Sequence, residues 1–77
     1  MEIIVLGTGC AKCKNTYSVV EKVIAETGIN ATLTKEEDIM KIMSYNILAT
    51  PAIVVNGIVK IKGYVPTAAE VKNALGI

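Results

Sequence analysis

The sequence contains no arginine, no histidine, no tryptophan and no phenylalanine. Each absence closes a route. Nucleic-acid binders display a basic stripe and use arginine for bidentate base contacts. A chain without arginine and with net charge +1 offers neither, so no nucleic-acid partner is expected. A closed zinc site needs four ligands. Two cysteines and no histidine cannot supply them from one chain, and no metal site is expected. The three aromatics are all tyrosine, so the core must be aliphatic. No apolar run approaches the roughly 18 residues of a membrane span, and Glu2 stands where a signal peptide would carry basic residues. A cytoplasmic chain without membrane attachment is therefore expected. Two cysteines are also too few for a secreted disulfide scaffold, and in a reducing cytosol such a pair is more often catalytic or metal-binding than structural.

Those two cysteines are close together, in Gly7-Thr8-Gly9-Cys10-Ala11-Lys12-Cys13. The apolar run Ile3-Ile4-Val5-Leu6 precedes them and an amphipathic stretch from Thr16 to Thr27 follows. This reads as strand, glycine-flanked turn and helix. Residues three apart share a helix face, so the spacing makes the two thiols neighbours able to form and release a short-loop disulfide. A C-x-x-C in this setting is a redox signal. Cys10 is expected at the exposed helix N-terminus, where backbone N–H groups and the helix dipole favour a thiolate. Cys13 is expected one turn further in, on the apolar face with Tyr17 and Val20. Lys12 adds positive charge beside Cys10, although solubility explains a lysine there equally well.

At 77 residues the chain is expected to form a single domain, residues 1–77. Gly28 should end the first helix. Asn30 to Thr34 alternates as a half-exposed strand, and Thr34 with Glu37 has the spacing of a capping box for a second helix through Ile39, Met40, Ile42 and Met43. Both methionines fall at helical spacing and are expected in the core. Ala49-Thr50-Pro51 is a loop. Ala52 to Val55 is apolar throughout, as in a strand covered on both faces. Asn56-Gly57 marks a type I′ hairpin turn. Ile58 to Lys62 alternates, with Val59 and Ile61 inward, Lys60 and Lys62 outward, and Gly63 ends it. Thr67 and Glu70 form another capping box before Val71, Ala74 and Leu75. The order is β-α-β-α-β-β-α, an α/β fold with three helices. Strands apolar on both faces belong in the centre of a sheet and alternating ones at its edges. A parallel first β-α-β unit and a final hairpin then give a four-stranded mixed sheet of order 2-1-3-4.

Fold and motif together resemble the thioredoxin superfamily, and within it the small glutaredoxin-like thioredoxins known as redox-active disulfide proteins. The resemblance covers nearly the whole chain. It rests on Gly7 to Cys13, on Ala49-Thr50-Pro51-Ala52, and on Val55-Asn56-Gly57 with Gly63. It implies that Cys10 is the nucleophile and Cys13 the resolving thiol. It also implies that the Thr50–Pro51 bond is cis and faces the dithiol, where trans is the usual state of such a bond. Gly9, Lys12, Thr50, Pro51, Gly63 and Tyr64 are then the candidates to meet a substrate. The larger thioredoxins have tryptophan before the first cysteine and Gly-Pro between the two; here stand Gly9 and Ala11-Lys12. No acidic residue lies within the first strand to take a proton, Glu2 being at its start. Gly63-Tyr64-Val65-Pro66 replaces the Gly-Gly and acidic residues with which glutaredoxins hold glutathione.

The implied activity is thiol–disulfide oxidoreduction without an organic cofactor. Disulfide-containing proteins would be the substrates, a thioredoxin-reductase-type donor would restore the dithiol, and the chain would act as a monomer. Two alternatives stand beside it. One is a soft-metal module, since Gly-x-x-Cys-x-x-Cys before a helix is similar to copper-chaperone domains; those run β-α-β-β-α-β, without a helix between strands two and three. The other is a redox-responsive interaction module whose disulfide is a slow switch.

Overall fold

The structure is a computed structural model that describes residues 1–9, 11–47 and 49–77. Cys10 and Leu48 lie outside the described residues. Among those described, the elements run β1 (Glu2–Leu6), α1 (Ala11–Thr27), β2 (Thr32–Glu36), α2 (Ile39–Met43), β3 (Ala52–Val55), β4 (Ile58–Lys62) and α3 (Ala68–Leu75). The sheet has the order β2-β1-β3-β4. β1 pairs parallel with β2 and antiparallel with β3, and β3 pairs antiparallel with β4. The arrangement inferred from apolar patterning is the one observed.

Alternation along the central strands feeds two cores. Ile3 and Val5 of β1, Ile53 and Val55 of β3, and Ile61 of β4 pack with Val20 and Val23 of α1 and Val71 and Leu75 of α3. Leu6, Ala52 and Val54 face the other way and pack with Ile42 of α2 and Ile47. Successive strand residues point to opposite faces, so one continuous apolar run serves both layers. On α1 the buried positions are Cys13, Thr16, Val20 and Val23, the three-and-four spacing of one helix face. Thr16 satisfies its hydroxyl by donating to the Lys12 carbonyl at 2.9 Å. Gly28, at φ 66°, closes the helix with its N–H on the Ile24 carbonyl.

Three local expectations need correction. β2 begins and ends two residues later than the alternation from Asn30 suggested, so Thr34 lies inside the strand, paired with Ile4. It therefore caps nothing. Asp38 is the N-cap of α2, its Oδ1 accepting from the Met40 N–H at 3.0 Å. The ladder to β1, continued by the Gly7 N–H on the Glu36 carbonyl, outcompetes an earlier helix start. Second, Met40 and Met43 are not core: they are 73% and 56% exposed. A five-residue helix turns little more than once, and it spends its sheet-facing side on Ile42. Third, Val59 and Ile61 do not share a face. The register shifts between Ile53 and Val54, which pair with Ile61 and Val59, so Lys60 is the extra residue of a bulge. Val59 consequently packs with the α2 layer and Ile61 with the α1–α3 layer.

The hairpin turn and the last cap match their sequence signals. Asn56 and Gly57 adopt φ 50° and 83°, as a type I′ turn requires. Thr67 and Glu70 form a reciprocal capping box, with the Glu70 N–H on Thr67 Oγ1 at 3.2 Å and the Thr67 N–H on Glu70 Oε1 at 3.1 Å.

Candidate active site

The strand register brings the ends of all four strands together at one end of the sheet. Leu6 pairs with Glu36 on one side and with Ala52 on the other, and Ala52 pairs with Lys62. The next residue outward on each strand is Gly7 on β1, Glu37 after β2, Pro51 before β3 and Gly63 after β4. Neighbouring strands lie about 4.8 Å apart, so these four positions form a row across the sheet end. The Gly63 N–H donates to the Pro51 carbonyl at 2.8 Å, which ties the end of β4 to the loop before β3. Gly63, at φ 86°, turns the chain here, and a methyl group on it would sit 3.5 Å from Ala49 Cβ. The Thr50–Pro51 peptide bond is cis.

Cys13 reaches this row from α1. It is 5% exposed, and its side chain rests on Gly7: a Cβ built at Gly7 would collide with Cys13 Sγ and lie 2.8 Å from Cys13 Cβ. Hence the residue after β1 must be glycine for steric reasons, although its backbone needs no left-handed angle. Gly9, by contrast, has φ 85° and turns the chain just before α1. A cavity of about 490 Å³ opens beside Cys13, walled by Gly7, Thr8 and Gly9, by Tyr17 and Lys14 of α1, and by Lys35 and Glu37. Lys35 Nζ stands 6.0 Å from the centre of the Tyr17 ring and 3.6 Å from Glu37 Oε1.

Residues 1–76 match the family described as a thioredoxin domain. The chain belongs to the thioredoxin family. It is 34% identical to a thioredoxin of Methanocaldococcus jannaschii over 71 residues, which covers 92% of this chain and 81% of that protein. It is 33% identical to a thioredoxin of Methanothermobacter thermautotrophicus over 75 residues, 97% of both chains. No helix among the described residues is long and apolar enough to cross a membrane, and no group of three or more His, Cys, Asp or Glu among them could hold a metal ion.

Of the site residues expected from the sequence, the thioredoxin-family structure gathers Cys13 and Gly9 around one cavity and sets Pro51 and Gly63 together beside them. Thr50 precedes Pro51 and is half-buried. Lys12 is exposed on α1 and is not among the residues walling the cavity; Lys14 and Lys35 are. Tyr64 is 46% exposed and directs its hydroxyl to Glu70 Oε2, a 2.7 Å hydrogen bond. The expected nucleophile, Cys10, lies outside the described residues. Gly7, Lys35 and Glu37 also wall the cavity, and none of the three is a site candidate from the sequence. Gly7 was legible as part of the glycine-flanked turn. The other two acquire their places only through the β1–β2 register.

The Tyr64 hydrogen bond shifts both partners. Glu70 is held below its ordinary 4.5, first by the Tyr64 hydroxyl and then by the Thr67 backbone. Tyr64 is raised above its ordinary 10.0 by the same hydrogen bond. A depressed carboxyl contributes stability above its unfolded pKa and loses it as pH falls through the folded value. A raised phenol contributes below its unfolded pKa and loses it as pH rises through the folded one. Tyr64→Phe should therefore lower the melting temperature at neutral pH by a small amount that vanishes in acid, below the carboxyl range. Thermal melts from pH 7 down to about pH 2 check this; a difference that persists undiminished in acid would contradict it.

Proposed function

We propose that this thioredoxin-family chain is a thiol–disulfide oxidoreductase working through Cys10 and Cys13. The observation that carries the reading is the seat of Cys13, packed on Gly7 at the wall of an open cavity, at the sheet end where Pro51 meets Gly63. The spacing Cys10-Ala11-Lys12-Cys13 supplies the second thiol. In the forward reaction the Cys10 thiolate attacks one sulfur of a substrate disulfide, forming a mixed disulfide and releasing the other sulfur as thiolate. Cys13 then attacks the Cys10 sulfur. The Cys10–Cys13 disulfide forms, the substrate leaves as its second thiolate, and two electrons have passed from the protein to the substrate. A dithiol donor of reductase type restores the cysteines. Gly9, Thr50, Pro51, Gly63 and Tyr64 frame the surface where the substrate chain would lie, with Lys12 close to Cys10 in sequence. A reducing, cytoplasmic setting and a monomeric state suit this cycle.

The test is catalytic turnover. With excess dithiothreitol as donor, the protein should accelerate reduction of a disulfide-linked protein substrate in proportion to its concentration. Cys10→Ser should abolish that acceleration, and Cys13→Ser should cut it by at least about 10²-fold. A protein that forms the internal disulfide yet gives no acceleration would instead be the redox-responsive switch. Retention of full turnover by either variant would contradict the dithiol mechanism.

A further inference from the structure

The proposed cycle needs a place for the Cys13 proton. Burial penalises a thiolate, and Cys13 is 5% exposed. Its proton must leave before the sulfur can attack the mixed disulfide, and β1 carries no acidic residue beyond Glu2 at its far end. The cavity beside Cys13 is the route out, and Glu37 is the one carboxylate among the residues that wall it. We propose that Glu37 is the proton acceptor for Cys13, resting on the dithiol reading above.

Three observations place it there. The three-residue turn Gly7-Thr8-Gly9 has the Cys13 sulfur against its first residue and the Glu37 carboxylate at its last, where a Cβ on Gly9 would lie 3.4 Å from Glu37 Oε2. The two carboxylate oxygens have different neighbours: Oε1 meets Lys35 Nζ at 3.6 Å, and Oε2 faces the turn. Finally, Glu37 is not consumed by the helix start, because Asp38 caps α2. The cavity, at about 490 Å³, has room for several waters at about 30 Å³ each, so water can bridge sulfur and carboxylate. The other ionisable groups on the cavity are Lys14 and Tyr17 from α1 and Lys35 from β2. The two lysines place positive charge near the developing thiolate, but ammonium groups cannot accept its proton.

The step balances. The Cys13 S–H bond breaks and the proton passes through water to the Glu37 carboxylate. The Cys13 thiolate attacks the Cys10 sulfur, the Cys10–Cys13 bond forms, and the bond from Cys10 to the substrate sulfur breaks. The substrate thiolate leaves with the electron pair and takes up the proton from Glu37 or from solvent.

An aromatic bis(nitrobenzoate) disulfide reports both steps, since each releases one coloured thiolate. In the reduced wild-type protein the first release reads Cys10 attack and the second reads resolution by Cys13. Glu37→Gln should leave the first release unchanged and slow the second by about 10²-fold, the low end of what a positioned base supplies. Glu37→Asp, which keeps the carboxylate, should resolve faster than Glu37→Gln. With its side chain 51% exposed, Glu37 tolerates both changes without loss of fold, which an unchanged melting temperature would verify. A second release within about threefold of wild type, equal slowing of both releases, or identical second releases in the Gln and Asp variants would overturn the role of Glu37 alone. Absence of the first release in the wild type would overturn the dithiol reading, and this role with it.

Discussion

Replacing Cys13 by serine should trap the protein in a mixed disulfide with its substrate through Cys10, whereas Cys10→Ser should trap little. The asymmetry follows from position. Cys13 is buried against Gly7, which shields it from an outside disulfide, and the proposed cycle gives the first attack to Cys10. The hydroxyl of a Cys13→Ser variant cannot displace the substrate thiolate, and the adduct waits for an external thiol. An internal nucleophile acts at an effective concentration of about 10⁵ M or more when well oriented, so turnover should fall by at least about 10²-fold. Alkylation should follow the same order, with Cys10 modified faster and at lower pH. Each variant is incubated with a disulfide-bonded protein and the adducts resolved on a non-reducing gel. Equal trapping by both variants, or faster alkylation of Cys13, would reverse the roles.

The second large effect is steric. Gly7→Ala should lower stability by about 1–3 kcal/mol, the usual result of forcing a methyl group into a packed interior. At about 4–8 °C per kcal/mol for a domain of this size, the melting temperature should drop by roughly 5–20 °C. The added Cβ would overlap Cys13 Sγ and sit 2.8 Å from Cys13 Cβ. Neither neighbour yields easily, since Cys13 is held in a 17-residue helix whose face carries Val20 and Val23 into the core. Turnover should suffer with stability, because any relief pushes the resolving sulfur off the sheet end. A second substitution, Cys13→Ala, removes the sulfur and should restore part of the loss, the signature of coupling between touching residues. The comparison is by thermal melts of the single and double variants and of Thr8→Ala, an exposed neighbour that should melt as wild type. An unaltered melt for Gly7→Ala, or no recovery in the double variant, would refute the contact.

The sheet was legible because burial on both faces leaves an unbroken apolar run, and β1 and β3 have it. Half-burial leaves alternation, as in β2. β4 shows where that reasoning stops: its sequence alternates cleanly, yet the bulge at Lys60 sends Val59 and Ile61 into different layers. A bulge is a property of the pairing with β3, and no residue within β4 announces it. Thr34 and Glu37 have the right residues at the right spacing for a cap, but Thr34 is committed to the ladder with β1. Met40 and Met43 satisfy a helical period that only a longer helix would bury. Around the candidate site, Cys13 carries its own local signal in the C-x-x-C spacing, whereas Pro51 and Gly63 could be named only through the family resemblance, since a Thr-Pro bond is ordinarily trans. Glu37 could not, since it arrives beside Cys13 by way of a strand partner.

In the proposed cycle Cys10 and Cys13 form one reversible couple. Its most direct test is equilibration of the protein in dithiothreitol buffers of graded potential, followed by acid quenching, alkylation and intact mass spectrometry. The expected result is a single two-electron transition between a doubly alkylated monomer and an unalkylated monomer, with a midpoint at about −200 to −270 mV, between glutaredoxins and thioredoxin. Oxidation that yields only intermolecular disulfides, or that leaves both thiols alkylated at every potential, would contradict it.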